Sequence, residues 1–187
     1  MNIYSEFLKK QDCTLLIVDL QKSMLNLCAE PELVRKNTEA LIDIARISEI
    51  PVIFSEHNAD KLGDFLPDIM QKVPDSSALN KVEFSCFENE NLSRAIRENR
   101  RNTLILAGIE THVCIFHTGV HGIRLGYNVH VISDAVSSRT RQNKEIGLRR
   151  LEKAGAVISS TEMAIFELLN RADTPEFRQA LPIIKSL

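Results

Sequence analysis

The chain has 187 residues and a mass of 21.1 kDa, which excludes a disulfide-stapled miniprotein; a chain of this size folds as one unit and buries roughly 70% of its unfolded surface. It is 44% hydrophobic and 26% charged with a mean hydropathy of -0.09, which excludes the disordered and fibrous classes. The 23 basic and 25 acidic residues are interspersed and leave a formal charge of -2, without the basic footprint of a nucleic-acid binder.

The start, MNIYSEFLKKQD, contains no apolar targeting run, and no later apolar stretch approaches the length of a bilayer span, so the expected location is cytoplasmic with no membrane partner. Cys13, Cys28, Cys86 and Cys114 form no C-x-x-C pair and are expected to be free thiols.

Taken in order, Thr14 to Val18 is a branched apolar run that reads as a strand buried on both faces and stops at Asp19. Pro31 and Glu32 open a helix with Val34, Leu41, Ile44 and Ala45 on one face, and Pro51 to Ser55 reads as the second strand. A shorter third strand is expected near Ala78 to Val82, then a polar helix from Leu92 to Arg100 and a fourth strand from Thr103 to Ala107, ending at Gly108. A helix starting near Cys114 is closed by Gly126. Asn128 to Ile132 is the fifth strand, Lys144 to Ala154 a helix, and Ala156 to Ser159 the sixth strand. Ser159 and Glu162 have capping-box spacing before a last helix with Ile165, Phe166, Leu168 and Leu169. This alternation predicts an α/β protein: a three-layer α/β/α sandwich around a six-stranded parallel sheet in the order 3-2-1-4-5-6. Residues 1–187 are expected to form a single domain, and the segment from about Thr174 an appendage that packs against something.

Ligands of open parallel sheets bind beyond the carboxyl ends of the strands where the strand order reverses, here between strands 1 and 4. That rule selects Asp19 and the segment from Gly108 to Cys114, so a carboxylate and a thiol are expected to share one cleft. A helix N-terminus lowers a thiol pKa and binds an oxyanion, which separates Cys114 from the other three cysteines. Gln21 is the candidate substrate contact beside Asp19. Lys81 gains weight only in combination with these two, His112 is assigned a structural or interface role, and His57, His117, His121 and His130 are assigned none.

Four segments, Leu-Leu-Ile-Val-Asp19-Leu-Gln21, Lys81-Val-Glu-Phe-Ser85-x-Phe87, Gly108-Ile-Glu-Thr-His-Val-Cys114-Ile and Asp134-Ala-Val-Ser-Ser-Arg139, resemble in order and spacing the isochorismatase-like cysteine hydrolases, and within them the isochorismatase domain-containing hydrolases. The resemblance runs from Thr14 to about Phe177. It implies a catalytic Asp19, Lys81 and Cys114, a cis peptide between Ile109 and Glu110, and an oxyanion hole from the backbone N–H groups of Glu110 and Cys114. Nicotinamidases of this family carry a metal-binding Asp-x-His with further histidines after strand 2, where this chain reads Ser-Glu56-His57-Asn-Ala-Asp60. No metal and no cofactor are therefore expected.

The leading expectation is a metal-independent cysteine hydrolase that cleaves a small amide or related C–N bond through a thioester on Cys114. Lys81 is expected to help by favouring the thiolate. A vinyl-ether hydrolase working by protonation from Asp19, and a non-catalytic binding protein that keeps the fold, are the alternatives. A homo-oligomer is expected, because Ile115, Phe116, Val120 and Ile123 exceed one buried stripe and the tail from Phe177 to Ile184 is apolar.

Overall fold

The computed structural model describes residues 7–187, so the first half of the N-terminal segment read above for targeting lies outside the described residues. Strand β1 (Cys13–Val18) is followed by a short helix α1 (Lys22–Leu25), the long helix α2 (Pro31–Ile47) and β2 (Val52–His57). Two one-turn helices, α3 (Ala59–Leu62) and α4 (Pro67–Met70), lead to β3 (Ala78–Lys81), α5 (Glu90–Glu98) and β4 (Thr103–Ile109). A π-helical turn (Thr111–Ile115) runs directly into α6 (Phe116–Arg124). The chain then forms β5 (Asn128–Ser137), α7 (Arg141–Ala154), β6 (Val157–Ser159), α8 (Thr161–Leu169) and α9 (Pro175–Ser186). Among the described residues no helix is long and apolar enough to cross a membrane.

The six strands pair in the order β3-β2-β1-β4-β5-β6, and every pair is parallel, as the alternation of elements predicts. Burial on both faces follows from the pleat, which sends successive side chains to opposite sides. Leu15, Ile17, Ile105 and Ala107 enter one core with α2, α8 and α9. Leu16, Val18, Leu104 and Leu106 enter the other, under α5, α6 and α7.

Several boundaries differ from those expected. The fifth strand continues to Ser137, and the register shifts between Leu106 and Gly108, so that Leu106 faces Val131 whereas Gly108 faces Val136. The run from Asp134 thereby becomes scaffold. Asp134 Oδ1 accepts from the N–H and hydroxyl of Thr161, both at 2.8 Å, and its carbonyl accepts from Asn37 Nδ2 at 2.8 Å. The N-cap of α8 is Ser160, whose hydroxyl accepts from Met163 N–H, rather than Ser159. The C-terminal segment is a capped helix: Thr174 Oγ1 accepts from Phe177 N–H at 3.1 Å, Pro182 stands inside it, and Ala180 is fully buried against the α2 layer.

The apolar residues that suggested self-association are, apart from Ile115 and Ala180, only partly buried within the chain. Ile115 is buried, Phe116, Val120 and Ile123 pack against the second core, and Phe177, Ile183 and Ile184 pack against the first.

His130 sits on β5 between Ile105 and Val157, 5% exposed, and its Nδ1 has no hydrogen-bond partner. Burial pushes it down to about 4. The unfolded chain titrates this group near pH 6.5, so below that pH the unfolded state binds more protons and stability falls as pH drops towards 4. The expected loss at pH 4.5 is about 2–3 kcal/mol relative to pH 7. Urea unfolding of the wild type and His130→Leu at both pH values checks this, and an equal acid loss in the two proteins would refute it.

Candidate active site

The carboxyl ends of β1, β2, β3 and β4 supply the candidate site. Asp19 follows β1 in the left-handed region at φ 54°, which Asp and Asn tolerate better than other side-chain-bearing residues. Its N–H bonds to the Ser55 carbonyl on β2 at 2.9 Å, and Ser55 Oγ donates to Asp19 Oδ1 at 2.7 Å. Lys81 ends β3 opposite His57 in register, and its Nζ donates to Asp19 Oδ2 at 2.5 Å and to Cys114 Sγ at 3.7 Å. The three side chains belong to residues 0%, 1% and 2% exposed, so the ammonium bridges carboxylate and thiol out of water.

Cys114 is placed by close backbone packing on both sides of it. Gly108 (φ 113°) ends the part of β4 that abuts β1, and a Cβ there would stand 2.1 Å from the Val18 carbonyl oxygen. Only a glycine permits that approach. The Ile109–Glu110 peptide bond is cis, and the π-helical turn starts immediately after it. Cys114 is thus the fourth residue of that turn, one turn deeper than a residue that starts the helix. The Glu110 carbonyl accepts from the N–H groups of Val113 and Ile115, while its carboxylate accepts from Arg139 N–H at 2.9 Å and Nε at 3.2 Å. His112 Nδ1 pairs with Ser138 Oγ at 3.0 Å, which is the structural role expected of it. On the far side Gly147 of α7 comes so near that a Cβ would stand 3.0 Å from the backbone of Thr111 and His112.

The electrostatics depart from the expectation of an acidified thiol. Burial, then the Asp19 carboxylate, push the Cys114 thiol up, and the lowering by Lys81 does not overcome them. The thiol also hydrogen-bonds Asp19, which favours its protonated form. Burial by itself would lower Lys81, but Asp19 and the nearby thiols hold it above its ordinary value. Burial and Asp19 thus favour the neutral thiol beside the buried Lys81–Asp19 pair. Burial also raises Cys13 and Cys28 to about 12 and Cys86 to about 11.

Gln21 is buried, and its side chain is spent on protein backbone. Oε1 accepts from His57 N–H at 2.7 Å, and Nε2 donates to the carbonyls of His57 at 3.0 Å and Gly63 at 2.5 Å. It fixes the end of β2 and leaves no free donor for a substrate.

Glu56, His57 and Asp60 are not brought together. Glu56 turns to accept from Phe65 N–H at 2.9 Å, and Asp60 is exposed in α3. His57 instead joins Asp19 and Cys114, with one ligand atom of each within 4.8 Å of the others. Those three donor types suit a transition metal. The Lys81 ammonium, however, already contacts both the Asp19 carboxylate and Cys114 Sγ, so a dication there would meet a buried positive charge. The residues present do not fit a metal while Lys81 holds this position.

Sequence reasoning left out Ser55, His57 and Cys86, whose Sγ contacts Ser55 Oγ at 3.7 Å. Their link to the site is lateral, through the pairing of β2 with β1 and β3.

In comparison with known proteins, residues 13–163 match the isochorismatase domain. The secreted isochorismatase effector Isc1 of Phytophthora sojae is 35% identical over 176 residues, covering 91% of this chain and 83% of its own. Of solved structures, the MAR1 ribonuclease of Caenorhabditis elegans superimposes with a TM-score of 0.90 at 28% identity, covering 96% of this chain and 93% of its own. YcaC from Pseudomonas aeruginosa, solved with hexane-2,5-diol and covalent acrylamide, gives a TM-score of 0.90 at 25% identity over 96% of this chain and 92% of its own.

Proposed function

The chain belongs to the isochorismatase family, and from that premise we propose that it is a cysteine hydrolase of small amides or related C–N compounds, working without a metal through a thioester on Cys114. The observation that carries this reading is the Lys81 ammonium held between Asp19 and Cys114 in a water-excluded site. Burial of an ion pair beside a thiol costs stability unless geometry compensates, and perturbed titration of such groups in one place marks functional sites.

In the proposed mechanism Cys114 Sγ attacks the substrate carbonyl carbon while its proton passes to Asp19. The N–H groups of Glu110 and Cys114 hold the oxyanion, a contribution of about 3–4 kcal/mol per donor. Asp19 returns the proton to the leaving amine as the C–N bond breaks, takes one from the water that attacks the thioester carbonyl, and gives it to Cys114 Sγ as the C–S bond breaks. Lys81 keeps its charge beside both groups throughout, so carboxylate and thiolate are each stabilised as they form.

The covalent acrylamide belongs to YcaC, and it supports the expectation of a reactive nucleophile in this fold. The ribonuclease name of the nematode neighbour fits this chain less well, because the net charge is -2 and Asp19, Lys81 and Cys114 are all buried. The test is a panel of small amides, ureas and hydroxamates, quenched and analysed for an acyl group on Cys114. A thioester that forms equally in the presence of a chelator supports the proposal; turnover without any adduct on Cys114 favours vinyl-ether chemistry, and turnover restored only by added zinc or manganese overturns the metal-free reading. Self-association is proposed as well, through exposed apolar residues such as Val82 and Phe84, and a monomer by sedimentation at micromolar concentration would refute it.

A further inference from the structure

His57 is held in place from four directions. Gln21 clamps its N–H and its carbonyl, and register pairing on β2 sets it beside Lys81 of β3. Its ring stacks on Phe84 with centroids 5.7 Å apart and planes at 20°. The backbone of Glu83 lies beside the ring. The ring thus has little rotational freedom.

One ring nitrogen lies within 4.8 Å of an Asp19 carboxylate oxygen and of Cys114 Sγ. Nδ1 is buried and has no hydrogen-bond partner, one of four such side-chain atoms among the described residues. A buried polar atom left unpaired costs stability, so it calls for an explanation, and at the edge of a reactive site a ligand is the natural one. Burial, then the Lys81 ammonium, lower the imidazole, which keeps it neutral at physiological pH. In the neutral tautomer that carries its proton on Nε2, Nδ1 is a lone-pair acceptor.

We infer that His57 is a specificity-determining residue: its unpartnered Nδ1 accepts a hydrogen bond from an N–H on the substituent of the reacting carbonyl, so the site selects carboxamides, ureas and carbamoyl compounds over esters. This rests on the hydrolase reading above and adds the reason for a preference for C–N substrates. The oxygen of an ester presents no donor, and Nδ1 would then stay unpaired beside another acceptor. Discrimination by a site built to pair with an N–H is strong, because the wrong substrate leaves the buried partner unsatisfied.

Acrylamide and methyl acrylate test this, since they differ in NH2 against OCH3 on the same carbonyl. Each reacts by the same addition: the Sγ–C bond forms as the C=C π bond breaks, and the thiol proton ends on the α-carbon. Rates of Cys114 modification, read by peptide mass spectrometry, are divided by the rates of the same reagents with glutathione to remove intrinsic reactivity. The wild type is expected to favour acrylamide by about tenfold after this correction, the effect of one hydrogen bond. His57→Phe, which keeps a ring against Phe84, should bring the ratio to about one, and His57→Gln, which restores an acceptor, should recover part of it. A wild-type ratio retained in His57→Phe overturns the inference while leaving the nucleophile intact. A Cys114 inert to both reagents, with the protein folded by its melting curve, overturns the hydrolase reading itself and the inference with it.

Discussion

Asp19→Asn should speed alkylation of Cys114 by tenfold or more at neutral pH while amide turnover falls about 10²–10⁴-fold. The two readouts separate because Asp19 acts on the thiol in opposite senses. In the resting site its charge and its hydrogen bond hold the proton on sulfur, against the pull of Lys81. Neutralising the carboxylate leaves the ammonium, 3.7 Å from Sγ, with the thiolate as its only nearby counter-charge among the groups that form this trio. The thiol pKa falls, and each unit of fall raises the thiolate fraction tenfold. Turnover is lost all the same, since no group remains to carry the proton from thiol to leaving amine. Asn suits the position because it tolerates φ 54° and keeps an acceptor for Ser55 Oγ. Iodoacetamide labelling against pH, alongside turnover of whichever amide proves active, checks both halves. Slower labelling in Asp19→Asn would mean that the carboxylate activates the resting thiol, and this assignment of roles would fall.

Lys81→Met should lower the unfolding free energy by about 3–5 kcal/mol, the usual cost of removing one partner from a buried ion pair. Both side chains of the Lys81–Asp19 pair have 0% relative exposure, so solvent cannot compensate the orphaned carboxylate. Ser55 Oγ remains its hydrogen-bond donor, and the thiol is pushed up further by the loss of the one neighbour that lowers it. Labelling of Cys114 at pH 8 should therefore slow, opposite to the Asp19 variant. The double variant Asp19→Asn/Lys81→Met carries no buried charge and should recover most of the stability. Urea midpoints of the four proteins decide the matter. A Lys81→Met protein as stable as the wild type would show that the ion pair is not buried as described.

The layered architecture and the strand order follow from the pattern of residues alone. Apolar runs such as Thr103 to Ala107 have no polar alternation, so they require cover on both faces, and the helices between them supply it. The reversal of strand order then makes the ends of β1 and β4 a cleft, which is why the sequence pairs Asp19 with Cys114 across 95 positions of chain. Lys81 was legible only in combination with those two residues and through the family resemblance.

Lateral register and burial are specified by no linear pattern. Parallel strands meet through long crossovers, so no turn pins which residue of β2 lies beside Val18; the finding that it is Ser55, with His57 beside Lys81, comes from the folded sheet. The same holds for Gln21, which as a sequence neighbour of Asp19 looked free to meet a ligand and instead spends its amide on the backbone of His57 and Gly63. The titration of Cys114 reversed for a related reason. A helix start and a nearby lysine predict a lowered thiol, but enclosure among Asp19, Lys81 and the π-helical turn removes water, and loss of solvation together with the neighbouring carboxylate outweighs one ammonium.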